Sequence, residues 1–292
     1  MRKNIKTTIK KMAVSVLAAT MAVGMMTGCG NGGSSAKGKD ITVVSREDGS
    51  GTRAAFTELM GILDGDNDQT VKTAEITNST SVMAQSVSGN VAAIGYVSLG
   101  SLDKTKVKAV KVDGVEATTD NIKSGSYKVA RPFNIATKYG LSDTANDFIK
   151  FILSEDGQKI ISDEGYISID ASEKYEAANL SGTISVAGST SVGPVMQVLA
   201  EKYMELNKNV TIEVQQTGSS AGMTSAIEGA CDIGMASREV KDSEKSQGLK
   251  ETTIAMDGIA VIVNLDNEID NLTSDQILKI YTGEIKNWDD VK

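Results

Sequence analysis

Residues Ile184–Leu206 read ISVAGSTSVGPVMQVLAEKYMEL, and their periodicity changes once along the way. Ile184 to Ala187 form an apolar strand. Gly188 to Ser191 are small or hydroxylated, and beyond them Val192, Met196, Leu199, Tyr203 and Leu206 recur at the spacing of one helix face. A strand passing into a helix through a Gly/Ser/Thr loop is part of a βαβ unit. The design occurs twice more. ITVVSREDGSGTRAAF (41–56) leads from a strand into a helix expected over roughly Thr52 to Leu63, with Phe56, Leu59, Met60 and Leu63 on its apolar face. VTIEVQQTGSSAGMTSAIEG (210–229) alternates Val210, Ile212 and Val214 before a loop at Gly218 to Gly222. Val91 to Leu99, CDIGMASREV (231–240) and DGIAVIVN (257–264) supply further strands. VKAVKVDGVEAT (107–118) is expected as a hairpin turning at Asp113-Gly114, and residues 144–165 as one amphipathic helix burying Phe148, Phe151, Ile152 and Ile160. Strands alternating with helices predict an α/β fold with largely parallel sheets.

The chain has 292 residues, 40% hydrophobic and 23% charged, enough for two lobes with real cores. Residues 1–11 carry five positive charges and no acid, and the apolar run that follows is short for a membrane span, so residues 1–28 are expected to be a secretory signal. MTGC (26–29) resembles the lipobox of bacterial lipoproteins, with Cys29 as the lipidated residue, although Met26 stands where leucine is usual. Residues 29–39, rich in Gly and Ser, are expected to be a flexible tether. Without residues 1–28 the chain holds 25 basic and 38 acidic residues, a net charge of −13. Such a field disfavours nucleic acid, and a bound anion needs a local site that overcomes it. Only Cys231 is left, which excludes an intrachain disulfide and fits a small core residue. There is no histidine, which removes Ser-His-Asp and Cys-His nucleophilic sites and the commonest transition-metal ligand.

Three strand-to-helix junctions, DGSGT (48–52), GSTS (188–191) and GSSAG (218–222), share one chemistry. Each brings hydroxyls and glycine-flanked N–H groups to a helix N-terminus, where the first amides lack partners and the dipole is positive. One such loop alone is an ordinary N-cap. Three together point to an anion. None contains the lysine of a P-loop or the spacing of a dinucleotide loop, so the anion is expected to be small. Arg46 is placed to supply a guanidinium, with Asp48 expected to orient it. Arg238 and Glu239 form a charged pair that is either solvated or at a cleft edge. Trp288 is read as an apolar anchor and Asp257 as structural.

VVSREDGSGTRAAF, ISVAGSTSVGPVM, QQTGSSAGMTSAIEGACDIGMASREV, DGIAVIVN and LTSDQILKIYTGEIKNWDDV together resemble the phosphate-binding protein of the bacterial phosphate ABC importer, across essentially all of residues 40–292. The resemblance implies a two-lobed periplasmic-binding-protein-like fold of type II. Each lobe would be a central, mostly parallel sheet flanked by helices, with the ligand cleft between them. It implies a phosphate site formed by Arg46, Ser50, Gly51 and Thr52 with Thr190, Ser191 and Ser219. Some members place an aspartate after the DIG strand to accept the phosphate proton, and Ser237 stands there in this chain. The implied protein is not an enzyme, uses no cofactor and is expected as a monomer. It would lie anchored outside the cell membrane, pass inorganic phosphate to permease subunits and bind no nucleic acid. A receptor for sulfate, molybdate or tungstate, or a phosphate sensor, is the alternative. The family places the AGSTS segment first, so the order here reads as a circular permutation. One lobe is then expected over 134–260, the other over 40–131 plus 263–292, with crossings at Ala130–Asn134 and Gly258–Asn264.

Overall fold

The computed structural model describes residues 35–171 and 173–291. The expected signal segment 1–28 and Cys29 lie outside the described residues. Along the chain run β1 (Thr42–Arg46), α1 (Gly51–Leu59), β2 (Glu75–Thr77), α2 (Thr80–Ser88), β3 (Ala93–Ser98) and β4 (Ala130–Thr137). Then follow α3 (Asp143–Leu153), α4 (Glu155–Asp163), β5 (Ser181–Gly188), α5 (Gly193–Leu206), β6 (Asn209–Gln216), α6 (Ser219–Glu228), β7 (Ile233–Ala236), β8 (Lys250–Asn264) and α7 (Ser274–Tyr281).

These eight strands form one curled sheet in the order β6-β5-β7-β4-β8-β3-β1-β2. Each end is a parallel triplet: β5 pairs in parallel with β6 and β7, and β1 with β2 and β3. Between them β4 and β8 run antiparallel to each other and to their outer neighbours. β8 is the long member; Lys250–Gly258 pair with β4, and Ile259–Val263 with β3. The fold is therefore the mixed α/β class expected, with two parallel units joined through an antiparallel centre. The apolar residues divide in the same way. One core gathers Val43, Phe56, Ile94, Val261, Tyr281 and Trp288, and a second Phe133, Phe148, Leu199 and Ile254. A smaller one forms around Met223 and Val240.

Four local expectations are corrected. The first helix stops at Leu59, and Leu63 belongs to a two-residue strand. The helix expected over 144–165 is two helices meeting at Ser154, whose backbone is extended and whose hydroxyl caps α4 by accepting the Gly157 N–H at 3.2 Å. Leu206, counted on the inner face of α5, is 46% exposed at the helix end. Residues 35–39 do not behave as tether. Ala36 is buried in the first core, Gly38 N–H donates to Asp289 Oδ1 at 3.0 Å, and the Lys39 carbonyl accepts the Trp288 N–H at 3.1 Å. The turn at Asp113-Gly114 forms, with φ of 51° and 80°, closed by Val112 and Val115. Among the described residues no helix is long and apolar enough to cross a membrane.

Candidate functional site: a buried hydroxyl and guanidinium cluster

The parallel strands fix where chemistry can collect. β1, β2, β5 and β6 each end in a loop that opens a helix, α1, α2, α5 and α6 respectively, and in such sheets ligands bind beyond the carboxyl ends of the strands. Two of these helices begin without a side-chain cap, since Val192 precedes α5 and Gly218, at φ 93°, precedes α6. Around α5 the Ser191 and Val192 N–H groups donate to Ser189 Oγ and Gly193 N–H to the Ser189 carbonyl, and at the start of α6 Ser220 N–H donates to the Gly49 carbonyl.

At this meeting point lie seven hydroxyl residues that are almost wholly buried: Ser50, Thr52, Thr80, Thr190, Ser191, Ser219 and Ser237 are each 6% exposed or less. Those of Thr52 and Thr80 bond across the two parallel units, and Ser219 and Ser237 bond within one. Thr52 Oγ1 and Ser191 Oγ are 2.8 Å apart, Thr80 Oγ1 is 3.0 Å from Ser191 Oγ and 3.2 Å from Thr190 Oγ1, and Ser219 Oγ is 3.4 Å from Ser237 Oγ. Gly51 sits where a Cβ would run into the hydroxyls of Ser219 and Ser237. Its lack of a side chain lets the start of α1 approach the start of α6.

Arg46, at the end of β1, is 2% exposed and reaches into the cluster. Its Nη2 donates to Thr190 Oγ1 at 3.0 Å and its Nη1 to Thr80 Oγ1 at 3.4 Å. The carboxylate that orients it is Glu47, not Asp48. Nε and Nη2 donate to the two Glu47 oxygens at 2.8 Å each, a forked pair that fixes the guanidinium plane. Asp48 faces solvent and pairs with Arg53 at 2.7 Å, while Arg53 also holds Asp68 and the Arg46 carbonyl. Tyr96 lies under Arg46, accepting its backbone N–H at 3.1 Å and sharing a 2.9 Å bond with Ser45 Oγ; burial pushes its phenol up to about 12.

The structure brings Arg46, Ser50, Gly51, Thr52, Thr190, Ser191, Ser219 and Ser237 into one buried cluster. Thr80 was not anticipated, although NSTS (78–81) after a short strand carries the same signal as the other three loops. Arg131 was also missed as a site residue. It lies in β4, 2% exposed, donating from Nη1 to Thr52 Oγ1 at 2.9 Å and to the Ser237 carbonyl at 2.7 Å, and from Nη2 to Asp257 Oδ2 at 3.1 Å. Burial pulls the Arg131 guanidinium down and pushes the Asp257 carboxyl up, and the attraction between the two opposes both shifts. Arg238 pairs with Glu244, at 2.7 and 2.9 Å, rather than with the Glu239 side chain, and borders a cleft of about 390 Å³ that opens beside Ser50. Cys231 is buried, its thiol pushed up to about 11 by that burial.

The site is thus one of converging helix N-termini beyond parallel strand ends, on two sheet units joined by crossing strands. The sequence matches the PBP superfamily domain over residues 4–156 and 173–292, and the chain belongs to that superfamily. It is 48% identical over 288 residues, 97% of this chain and 98% of the other, to the phosphate-binding protein PstS 2 of Streptococcus agalactiae. A solved structure from Streptococcus pneumoniae, described as a phosphate-binding protein of a phosphate ABC transporter, is 46% identical. It superposes with a TM-score of 0.70, covering 87% of this chain and all of that one. Within the superfamily this chain is therefore a member of the PstS family. To the phosphate-binding protein PstS of Staphylococcus saprophyticus the match is 40% identity over 117 residues, 38% of this chain and 37% of the other.

Proposed function

We propose that the chain captures inorganic phosphate in the hydroxyl cluster and hands it to the permease of an ABC importer. The observation that carries this reading is the buried Arg46 guanidinium set among hydroxyls from four helix N-termini, a positive, donor-rich site within an acidic protein. Micromolar binding needs about 8 kcal/mol, and roughly eight hydrogen bonds, several of them charge-assisted at about 1.5–3 kcal/mol each, are enough to supply it. Relatives named for phosphate binding and for phosphate ABC transport support the ligand and the partner. The role is binding and delivery rather than turnover. Equilibrium dialysis of the purified protein against labelled phosphate tests the proposal, with saturable retention expected and none contradicting it.

Ligand contacts are assigned to Arg46, Ser50, Gly51, Thr52, Thr190, Ser191, Ser219 and Ser237. The phosphate would bridge two lobes, one over 134–260 and the other over 40–131 plus 263–292, which is in keeping with the division of the cores and the crossing strands. Bonding both sides favours a closed form. Lipidation at Cys29 after removal of residues 1–28 would hold a monomer outside the membrane, where a solute is met before import.

The chain order is read as a circular permutation. Supporting it, Ile41 N–H donates to the Lys286 carbonyl at 2.7 Å and Asp40 bridges Asn287, so the start and end of the described chain meet. A match through nearly all of both chains fits a segment order shared with the S. agalactiae relative. A match over little more than a third, at comparable identity, fits a different order in the S. saprophyticus relative.

A further inference from the structure

Resting on that phosphate reading, a second cation stands beside the site with no assigned role. Arg131 is not a ligand in the scheme above, yet its Nη1 bonds two of the site's segments, Thr52 of α1 and the Ser237 carbonyl after β7. Asp257 of β8, wholly buried, holds its Nη2. A guanidinium has only donors. Thr52 Oγ1 must therefore accept from Arg131, which takes one of its lone pairs and leaves its single proton free for Ser191 Oγ, 2.8 Å away, or for a bound anion. Arg46 imposes the same sense on Thr190, whose Oγ1 accepts from Nη2. The strong acceptors nearby are occupied, the Ser237 carbonyl by Arg131 and the Glu47 carboxylate by the Arg46 fork. With these acceptors engaged, what the cluster can offer a ligand oxygen is its hydroxyl protons. An oxyanion oxygen without a proton accepts from every one of them, whereas a P–OH group meets only hydroxyl lone pairs such as that of Ser237.

We propose that Arg131, held by Asp257, is a positioning residue that orders the hydroxyls of this site as donors and thereby makes it select the fully ionised tetrahedral oxyanion: divalent over monovalent phosphate, with sulfate as a competitor. Arg131 donates directly to Thr52, whereas Asp257 is joined to that hydroxyl through the guanidinium, so the cation is the group in contact with the cluster.

The test is calorimetric titration with phosphate from about pH 5.5 to about pH 8.5, across its second ionisation, with sulfate as competitor at the upper end. Removing one member of a buried ion pair strands the other, so the variant is Arg131→Met with Asp257→Asn, which removes both charges together. Wild-type affinity is expected to rise with pH and to fall in sulfate. The double variant is expected to bind about tenfold or more weakly at the upper pH, to differ less at the lower, and so to show a flattened profile. Thr52→Val, which leaves the ion pair intact and deletes the hydroxyl it orients, is expected to flatten the profile as well, and it carries the test if the double variant does not fold. Wild-type slope retained in a folded double variant, or in Thr52→Val, overturns the role of Arg131, as does wild-type binding indifferent to sulfate. Absence of phosphate binding by the wild type at every pH overturns the underlying reading itself.

Discussion

Thr52 and Ser191, 139 residues apart in the chain, share a buried 2.8 Å hydrogen bond between the first turn of α1 and the loop that opens α5. Each hydroxyl belongs to a different parallel strand unit, so the contact ties the two through the site. A ligand seated among these hydroxyls therefore reports on both units at once.

Gly51→Ala tests how tightly that approach is drawn. The added methyl meets Ser219 Oγ and Ser237 Oγ. Phosphate affinity is expected to fall by about tenfold or more, and overpacking of the buried contact to cost about 1–3 kcal/mol of stability. Titration and a thermal melt of the same sample decide it.

Trp288 should behave in the opposite way. It is 4% exposed and its Nε1 donates to the Ala92 carbonyl at 3.0 Å, far along the chain from every proposed ligand. Trp288→Ala is expected to cost about 3–5 kcal/mol of stability with phosphate affinity unchanged. Denaturant unfolding measures the first and titration the second.

Tyr96 sets an alkaline limit. Its pKa, ordinarily near 10, is raised to about 12 by burial, so the neutral phenol is favoured in the folded chain. The stability this contributes is complete below the ordinary value and is lost as pH rises toward the raised one. Unfolding midpoints should drop between about pH 10 and about pH 12, and less so in Tyr96→Phe, whose phenolate cannot form. An identical drop in the variant would contradict the assignment.

Chain order gives a fourth expectation. Joining the end near Val291 to the start near Asp40 and opening the chain between Ile169 and Ser181 should leave the fold and phosphate affinity intact, since residues 39–41 already pair with 286–288. Failure of the rejoined chain to bind while it folds would mean that order matters beyond connectivity.

Much of this was legible in the sequence because parallel α/β units repeat a local pattern. An apolar run, a Gly/Ser/Thr loop and a helical period are all encoded within about 20 residues. The GSTS and GSSAG loops reached the site for that reason. Glu47 and Asp48 were not separable in the same way. Both neighbour Arg46, and which carboxylate turns inward depends on Arg53 drawing Asp48 outward, a matter of three-dimensional placement. Arg131 left no local mark, being one arginine in a strand whose meaning comes from Asp257, 126 residues away. The break at Ser154 was hidden because Phe148, Phe151, Ile152 and Ile160 keep a helical period across it, although Ser154 followed by Glu155 and Asp156 is a helix-start signal.

The most direct measurement is calorimetric titration of wild type and Arg46→Ala with inorganic phosphate, beside a thermal melt of each. Among the described residues, Arg46 is the cation that donates directly to the hydroxyls of Thr80 and Thr190. Saturable binding by the wild type, lost in a variant that still melts cooperatively, is the predicted result. Unchanged affinity in Arg46→Ala would contradict the site, and no binding by the wild type would contradict the function.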